Sequence, residues 1–175
     1  IDTTSSVIRI AVAENIPHQK SLQLTNHLAR GANYPPRMPA QPQTLRKLAD
    51  LQGHAETVWN LAWNPKKSLL ASCSTDKDVR LYSYKKLSSG ISGGSETVFR
   101  LEEVIPSGHK RTVRCVSWSP TGDILATSSF DSTVGLWEHI PDDIRSSMSD
   151  GSPDWECFGT LEGHESECKS VSFSY

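Results

Sequence analysis

Hydrophobic positions in this chain come in short runs that alternate with polar positions, and β-branched and aromatic residues are common within them. Turn-forming residues separate the runs, for example Pro120 and Gly122. Alternation with a period of two over so few residues is typical of strands and not of helices. The pattern predicts strands at 45–51, 57–63, 69–73, 79–83, 97–104, 113–118, 124–128, 134–137 and 155–161.

The same pattern recurs along the chain. Gly53-His54 returns as Gly108-His109 and again as Gly163-His164, at a constant interval of 55 residues. Residues 53–84 align with 108–139 without a gap, and a third copy begins at 163. A fixed period of this kind indicates repeated supersecondary units. We therefore predict two complete four-stranded units and the start of a third.

Four short antiparallel strands, with Gly-His before the first and an aromatic-acidic pair such as Trp137-Glu138 after the third, resemble the WD40 repeat. The resemblance implies an all-β WD40 β-propeller, of which this chain supplies about two complete four-stranded blades plus partial ones. Two polar inserts, 85–96 and 139–154, make the repeat longer than the usual ~40 to 45 residues. We expect both inserts at the end of each blade opposite the Gly-His loops.

In a blade of this type, the histidine of Gly-His can join a structural hydrogen-bond network. Asp131 can accept from the His109 imidazole, whose other nitrogen meets the Thr127 hydroxyl, which in turn meets the Trp137 indole. The residues predicted to form these networks are His54, Ser72, Asp76 and Tyr82 in the first copy, His109, Thr127, Asp131 and Trp137 in the second, and His164 in the third.

The same residue types could instead serve nucleophilic catalysis in a hydrolase, which needs an accessible nucleophile beside a base. An enzyme needs one such site, whereas a propeller needs a fastening in every blade. The repetition of the set therefore favours the structural role, and we predict that the protein is not an enzyme.

Binding residues are expected where the loops before the first strand and between the second and third strands meet, since a propeller displays loops on a rigid disc. Large aromatics and arginine dominate interface energetics, which singles out Trp59, Arg114 and Phe130. The residues predicted to bind partners are Trp59, Arg114, Phe130, Thr112, Lys169, Thr57, Thr75 and Glu167. All of them except Thr75 and Phe130, which stand just before the two aspartates, are expected to be exposed at the start of a first strand.

Composition excludes several classes of function. The 175 residues are 36% hydrophobic and 22% charged, as in ordinary globular proteins. No apolar run reaches the length that crosses a bilayer, so no membrane association is expected. A formal net charge of -2 and scattered basic residues give no patch for a phosphate backbone, so no nucleic-acid partner is expected.

The four cysteines, Cys73, Cys115, Cys157 and Cys168, are far apart and form no C-x-x-C pair. Their spacing predicts neither a metal site nor a cofactor. Isolated thiols without a secretory signal suggest a reducing compartment.

Two regions are predicted. Residues 1–44 lack the repeat, are rich in proline and hold Tyr34 as their single aromatic, so we expect a disordered or peripheral extension that does not anchor a core. Residues 45–175 are predicted to form a partial propeller with repeats starting near 53, 108 and 163. Because blades are stable by packing in a closed ring, we expect these 175 residues to be an N-terminal fragment of a larger product.

Specific segments narrow the resemblance. Several segments are similar to the cytosolic iron-sulfur protein assembly branch of the WD40 family, namely 108–114, 118–120, 129–131 and 154–157. The most specific of them is Leu161-Glu162-Gly163-His164 with the residues that follow. That resemblance implies a seven-bladed, non-catalytic docking subunit in the cytoplasm and the nucleus. Its partners would be iron-sulfur targeting factors and apoprotein clients, with no small-molecule substrate. The alternative is a generic WD40 adaptor, such as a ubiquitin-ligase substrate receptor or a chromatin scaffold.

Overall fold

The computed structural model describes residues 6–15, 43–88, 95–145 and 154–174. Strands dominate this part of the chain, with one short helix. In chain order the elements are β1 (Ile8–Asn15), β2 (Gln43–Leu51), β3 (Val58–Trp63), β4 (Leu69–Ser74), β5 (Asp78–Ser88), β6 (Ser95–Pro106), β7 (Val113–Trp118), β8 (Ile124–Ser129), β9 (Val134–His139), α1 (Asp142–Arg145) and β10 (Trp155–Leu161).

The strands form two four-stranded antiparallel sheets and one two-stranded sheet. Blade 1 has the order β3-β4-β5-β6, and blade 2 has the order β10-β9-β8-β7, so each is a simple meander. β1 and β2 pair with each other. The all-β class and the two four-stranded blades predicted from the sequence are confirmed.

The turn between the second and third strands is the same in both blades. Lys77 and Ser132 lie 55 residues apart, and both have a positive φ, of 72° and 75°. Non-glycine residues enter this region mainly in tight turns. In each blade the turn places an aspartate, Asp76 or Asp131, beside the Gly-His loop.

Blade 2 packs on blade 1 through a continuous apolar core. Val79 and Leu81 of β5 contact a group from blade 2 that includes Val113, Leu125 and Trp137. All five are nearly or fully buried. Because each blade leaves an apolar face for its neighbour, burial between blades is the main source of stability here.

Hydrogen bonds also cross between the blades. The Trp118 indole donates to the Ala62 carbonyl at 3.0 Å, and the Val116 amide donates to Asn60 Oδ1 at 3.2 Å. Asn64, itself buried, donates through Nδ2 to the Gly122 carbonyl at 2.8 Å. These three polar contacts at the junction are therefore paired rather than left unsatisfied.

The prediction for residues 1–44 is wrong for one segment. Residues 8–15 form β1, and Ile8 and Ile10 are 5% and 8% exposed in a core with Leu51, Leu70 and Tyr82. Alternating apolar residues bury one face of the strand, so this segment does anchor a core. Residues 1–5 and 16–42 of the predicted extension lie outside the described residues.

The first insert is shorter than predicted. β5 continues to Ser88 and β6 begins at Ser95, so both ends of the first insert are strand, with Ser88 paired to Ser95. The opposite end of the β5–β6 ladder, where Asp78 pairs with Pro106, lies beside Gly108-His109. The first insert is therefore at the end of the blade opposite this Gly-His loop, as expected. The second insert holds α1.

Within the described residues no helix is long and apolar enough to cross a membrane.

Candidate functional site

The histidine-aspartate sets lie at the end of each blade that carries Gly53-His54, Gly108-His109 and the β4–β5 and β8–β9 turns. We call this end the Gly-His face. Two features occupy it: a buried hydrogen-bonded fastening in each blade, which we call the clasp, and a more exposed layer of side chains above it.

The clasp of blade 2 joins four residues. His109 Nδ1 lies 3.0 Å from Asp131 Oδ2, and His109 Nε2 lies 2.9 Å from Thr127 Oγ1. The Trp137 indole donates to Thr127 Oγ1 at 3.0 Å. Since a carboxylate only accepts, Nδ1 carries the proton and Nε2 accepts from the threonine hydroxyl. Every group in this clasp has a partner of the opposite kind.

The clasp of blade 1 has the same geometry up to its last residue. His54 Nδ1 lies 2.9 Å from Asp76 Oδ2, and His54 Nε2 lies 2.8 Å from Ser72 Oγ. Tyr82 is 2% exposed, but its phenol oxygen meets no hydrogen-bond geometry with any described residue. Burial raises the pKa of Tyr82, and Ser72 is near enough to oppose that rise. Among the described residues, the hydroxyl of Tyr82 is therefore buried without a hydrogen bond of good geometry.

The two clasp aspartates are held as carboxylates. Burial alone would raise the pKa of Asp131, but hydrogen bonds from Thr133 and the Lys110 amide outweigh it, and the pKa lies well below its ordinary value. Burial of Asp76 is outweighed in the same way, mainly by His54, so its pKa is also lowered. For His54, burial lowers the pKa despite Asp76, so this imidazole is neutral at pH 7.

The residue two positions after each clasp aspartate differs between the blades. Thr133 Oγ1 donates to Asp131 Oδ1 at 2.7 Å. The corresponding residue of blade 1 is Asp78, whose pKa is raised by burial and by the charge of Asp76. Blade 1 thus places two carboxylates where blade 2 has a donor and an acceptor. Thr133 was not predicted as a network residue, and its two-residue spacing from Asp131 is the signal that could have identified it.

His164 stands apart from the other clasp candidates. It is exposed, and the positions that correspond to Thr127 and Asp131 in its repeat fall after residue 175. Nearby, the Cys168 amide donates to the Ser129 carbonyl at 3.0 Å. Cys168 packs with Ala126 and Val134, so the start of the third copy lies against blade 2.

Above the clasps, one group of predicted binding residues meets at the junction of the two blades. The Arg114 guanidinium lies over the Trp59 ring at 4.4 Å from its centroid. The Trp59 indole donates to Thr75 Oγ1 at 2.8 Å, and the Thr75 amide donates to the Thr57 carbonyl at 3.0 Å. Trp59 is still 43% exposed. Stacking and hydrogen bonding therefore fix an aromatic side chain that remains available.

A second group lies 55 residues further along. Arg111 donates through Nη1 to the Phe130 carbonyl at 2.7 Å, lies over the Phe130 ring at 5.8 Å, and pairs with Glu167 at 3.3 Å. The Phe130 amide donates to the Thr112 carbonyl at 3.0 Å. Arg111 was not among the predicted residues. Its counterpart in the first copy is Glu56, so the repeat gave no signal for it.

The eight predicted binding residues fall into two groups according to the exposure of their side chains. Trp59, Thr57, Glu167 and Lys169 are exposed, whereas Arg114, Phe130, Thr112 and Thr75 are half-buried. The expectation of exposure is therefore wrong for Thr112 and Arg114, which are half-buried.

The cysteines offer no ligand set. Burial raises the pKa of the Cys73 thiol to about 12, so Cys73 is not a thiolate at neutral pH. All four cysteines are free. Within the described ranges, no three His, Cys, Asp or Glu side chains are grouped so that they could hold a metal ion.

Comparison with known proteins matches this geometry to a repeat family. The family model of the WD domain, G-beta repeat, matches residues 45–83 and 101–138. A solved structure of the RRP9 WD40 repeats has a TM-score of 0.49 and 23% identity, covering 69% of this chain and 30% of that one.

Several proteins of known sequence are similar to this chain. A "probable cytosolic iron-sulfur protein assembly protein 1" from Mycosarcoma maydis is 53% identical over 154 residues, covering 75% of this chain and 34% of that protein. The protein of the same name from Malassezia globosa is 70% identical over 89 residues, covering 51% and 25%. "Protein CIA1" from Arabidopsis thaliana is 40% identical over 126 residues, covering 68% and 30%.

This chain spans about a quarter to a third of the length of these relatives. Each matched segment contains one Gly-His loop, the three strands that follow it in the blade, and their histidine-aspartate clasp. The chain belongs to the WD40-repeat family.

Proposed function

We propose that this chain is part of a non-catalytic docking subunit that serves cytosolic iron-sulfur protein assembly. Its similarity to proteins named for that process supports the assignment of the process and of the cytosol. The partners would be iron-sulfur targeting factors and apoprotein clients, held on the Gly-His face. The proposal covers the cytosol alone, because the names of the relatives refer to that compartment.

The observation that carries the docking role is the fixed Trp59-Arg114 stack. An aromatic ring and a guanidinium are the side chains that most often dominate binding energy. Here Thr75 holds the indole and Arg114 covers it. Side chains that are already ordered lose less conformational entropy when a partner binds. The second group, built by Arg111 around Phe130, extends the same layer toward Glu167.

The burial of the hydroxyls in the two clasps supports a non-catalytic role. Ser72 and Thr127 are both 0% exposed, and each is engaged by a histidine. A nucleophile must be reached by its substrate, whereas these hydroxyls face the interior of a blade. The clasps therefore fit a structural role better than hydrolysis.

The docking role can be tested by partner recovery. In the intact polypeptide, Arg114→Glu combined with Phe130→Ala should reduce recovery of iron-sulfur targeting proteins by at least about tenfold, as expected when hot-spot residues worth more than ~1 kcal/mol each are lost. Affinity purification followed by mass spectrometry measures this loss. The melting temperature should change little, because neither substitution touches a clasp.

A matched control changes the same residue types away from the face. Arg100→Glu with Phe158→Ala alters two exposed residues on the outer strands β6 and β10, and recovery should be unchanged. If both double variants recover the iron-sulfur targeting proteins equally well, the Gly-His face is not the surface that binds them. Recovery of ubiquitin-ligase or chromatin components instead would favour the generic adaptor.

A further inference from the structure

A glycine in blade 2 stands where blade 1 has an arginine. Arg80 of β5 pairs with Ser72 of β4, and Gly135 of β9 pairs with Thr127 of β8. Ser72 and Thr127 are the clasp hydroxyls of their blades. Arg80 and Gly135 therefore hold the same position in the two sheets, beside the clasp.

The guanidinium of Arg80 lies against the Gly-His loop of blade 1. A Cβ at Gly53 would lie 2.8 Å from Arg80 Nη1 and 3.2 Å from Arg80 Cζ. Burial and the charge of Asp76 raise the pKa of Asp78, and the charge of Arg80 opposes that rise. Blade 1 therefore fills the space between its Gly-His loop and its β4–β5 turn with a cation of its own.

The corresponding space in blade 2 is open. A Cβ at Gly108 would have no atom within 4 Å, and the space beside it is a pocket of about 300 Å³, at the lower end of the range for ligand sites. We call it the blade 2 pocket. It is lined by residues of blade 2 and of the segments that enter and leave this blade, among them Gly108, Asp131, Gly135, Cys157, Thr160 and Glu162.

The clasp prevents blade 2 from filling this pocket with a side chain at position 135. A Cβ at Gly135 would lie 2.8 Å from Thr127 Oγ1 and 2.9 Å from Trp137 Nε1. These two atoms are hydrogen-bonded to each other, so a side chain between them would break the clasp. The occupant of the pocket must therefore come from elsewhere.

The charges around the blade 2 pocket favour a cation. Two carboxylates, Asp131 and Glu162, and one ammonium, Lys110, line it, which leaves one negative charge in excess. Each oxygen of Asp131 already accepts two hydrogen bonds, so Asp131 would attract a cation through its charge alone. Glu162 and Thr160 are exposed at the pocket and supply oxygen acceptors.

We propose that the blade 2 pocket receives the guanidinium of an arginine side chain from a partner protein. Arg80 shows which cation lies beside a Gly-His loop in this chain. A guanidinium is planar, carries five N–H donors and is more weakly hydrated than an ammonium, so it loses less than lysine does when it enters a pocket. The pocket lies at the Gly-His face, and the choice of a protein as the source rests on the proposed docking function.

Protection of the Cys157 thiol measures whether the pocket is occupied. Cys157 is exposed and lines the pocket, so iodoacetamide should alkylate it in the intact polypeptide, and mass spectrometry of the peptide that contains it gives the rate. N-acetyl-arginine methylamide at ~10 mM should slow the reaction about tenfold, for a dissociation constant of about 1 mM. N-acetyl-lysine methylamide at the same concentration should slow it less than about twofold. Equal slowing by the two compounds, or none, would overturn the proposal.

A matched pair of variants locates the binding. Thr160 pairs with Gly135 and lines the pocket, so Thr160→Arg should fill it from the neighbouring strand, and the arginine compound should then slow alkylation less than about twofold. Phe158→Arg adds the same side chain to β10 at an exposed position outside the pocket and should keep the full slowing. Equal protection of Cys157 in both variants would mean that the compound binds elsewhere, which contradicts the proposal.

Partner recovery distinguishes a protein ligand from a free one. Thr160→Arg should reduce recovery of the iron-sulfur targeting proteins at least about fivefold, whereas Phe158→Arg should not. If the arginine compound binds but Thr160→Arg leaves recovery unchanged, the pocket holds a free guanidinium compound and the proposed source is wrong. If the compound fails to bind while Arg114→Glu with Phe130→Ala still loses the partners, this inference fails and the proposed function stands.

Discussion

At the scale of single residues, the two clasps differ where their sequences differ. Thr127 receives a hydrogen bond from the Trp137 indole, whereas Tyr82 brings a buried phenol that has no partner among the described residues. A buried polar group without a partner costs free energy, because it gives up its bonds to water. The aromatic position therefore contributes a hydrogen bond in blade 2 and a penalty in blade 1.

Removing the polar atom from each aromatic position should therefore have different effects. Tyr82→Phe deletes an unpartnered hydroxyl, and the free energy of unfolding should stay the same or rise by up to about 1 kcal/mol. Trp137→Phe breaks the bond to Thr127 and leaves space, so it should cost about 2 to 4 kcal/mol. Urea unfolding of the two variants measures the contrast. A loss of stability in Tyr82→Phe as large as in Trp137→Phe would show that the phenol is in fact paired.

At the scale of elements, the strands and clasps followed from the sequence because both depend on local spacing. The distance from histidine to aspartate is 22 residues in each blade, and the alternation of Val113–Trp118 is visible in the chain. Arg111 was missed because its partners, Phe130 and Glu167, come together only when the third copy packs on blade 2.

β1 was missed for a different reason. Ile8 and Ile10 do alternate with polar or small residues, but no Gly-His or turn motif flanks them and their partner strand begins at Gln43. The pairing is therefore long-range and leaves no periodic signal.

The turn between β7 and β8 should be coupled to blade 1 through one close contact. Gly122 has a φ of 77°, and a Cβ there would lie 2.5 Å from Asn64 Oδ1. Gly122→Ala should cost about 2 to 3 kcal/mol, from the left-handed conformation and from the clash. In an Asn64→Ala background the same change should cost only about 1 kcal/mol. A double-mutant cycle by urea unfolding gives the coupling, and additive costs would mean that the two blades are not in contact at this turn.

At the scale of the whole molecule, one arrangement is repeated three times. The β1–β2 sheet covers blade 1, blade 1 covers blade 2, and the third copy begins against blade 2. Each unit buries an apolar face against the next, so stability is shared among neighbours. The stability of the blades should also depend on pH, because each clasp contains ionisable groups.

Acid should unfold the protein through the clasps. The folded pKa values of Asp76 and Asp131 lie below the ordinary 3.8, and that of His54 lies below 6.5. A lowered folded pKa means that the unfolded state binds protons first, so the contribution to stability is full above the ordinary value and is lost as the pH falls. Stability should decline below about pH 6.5 as His54 charges in the unfolded state, and more steeply below about pH 4.

Urea midpoints between pH 3 and pH 8 measure this decline. Asp78 acts in the opposite sense, since its raised pKa favours the folded state as the pH falls. His54→Gln should remove most of the dependence between pH 5 and pH 7. If His54→Gln leaves the slope there unchanged, His54 is not the group responsible.

The sites that fasten the blades and the sites that face outward occupy separate positions in the repeat. Trp59, Arg114 and Lys169 hold one backbone position in successive copies, while His54 and His109 stay the same beneath them. An indole, a guanidinium and an ammonium can thus alternate on an unchanged frame. In the proposed docking role, the residues that contact a partner can therefore change from one blade to the next without any change to the clasps.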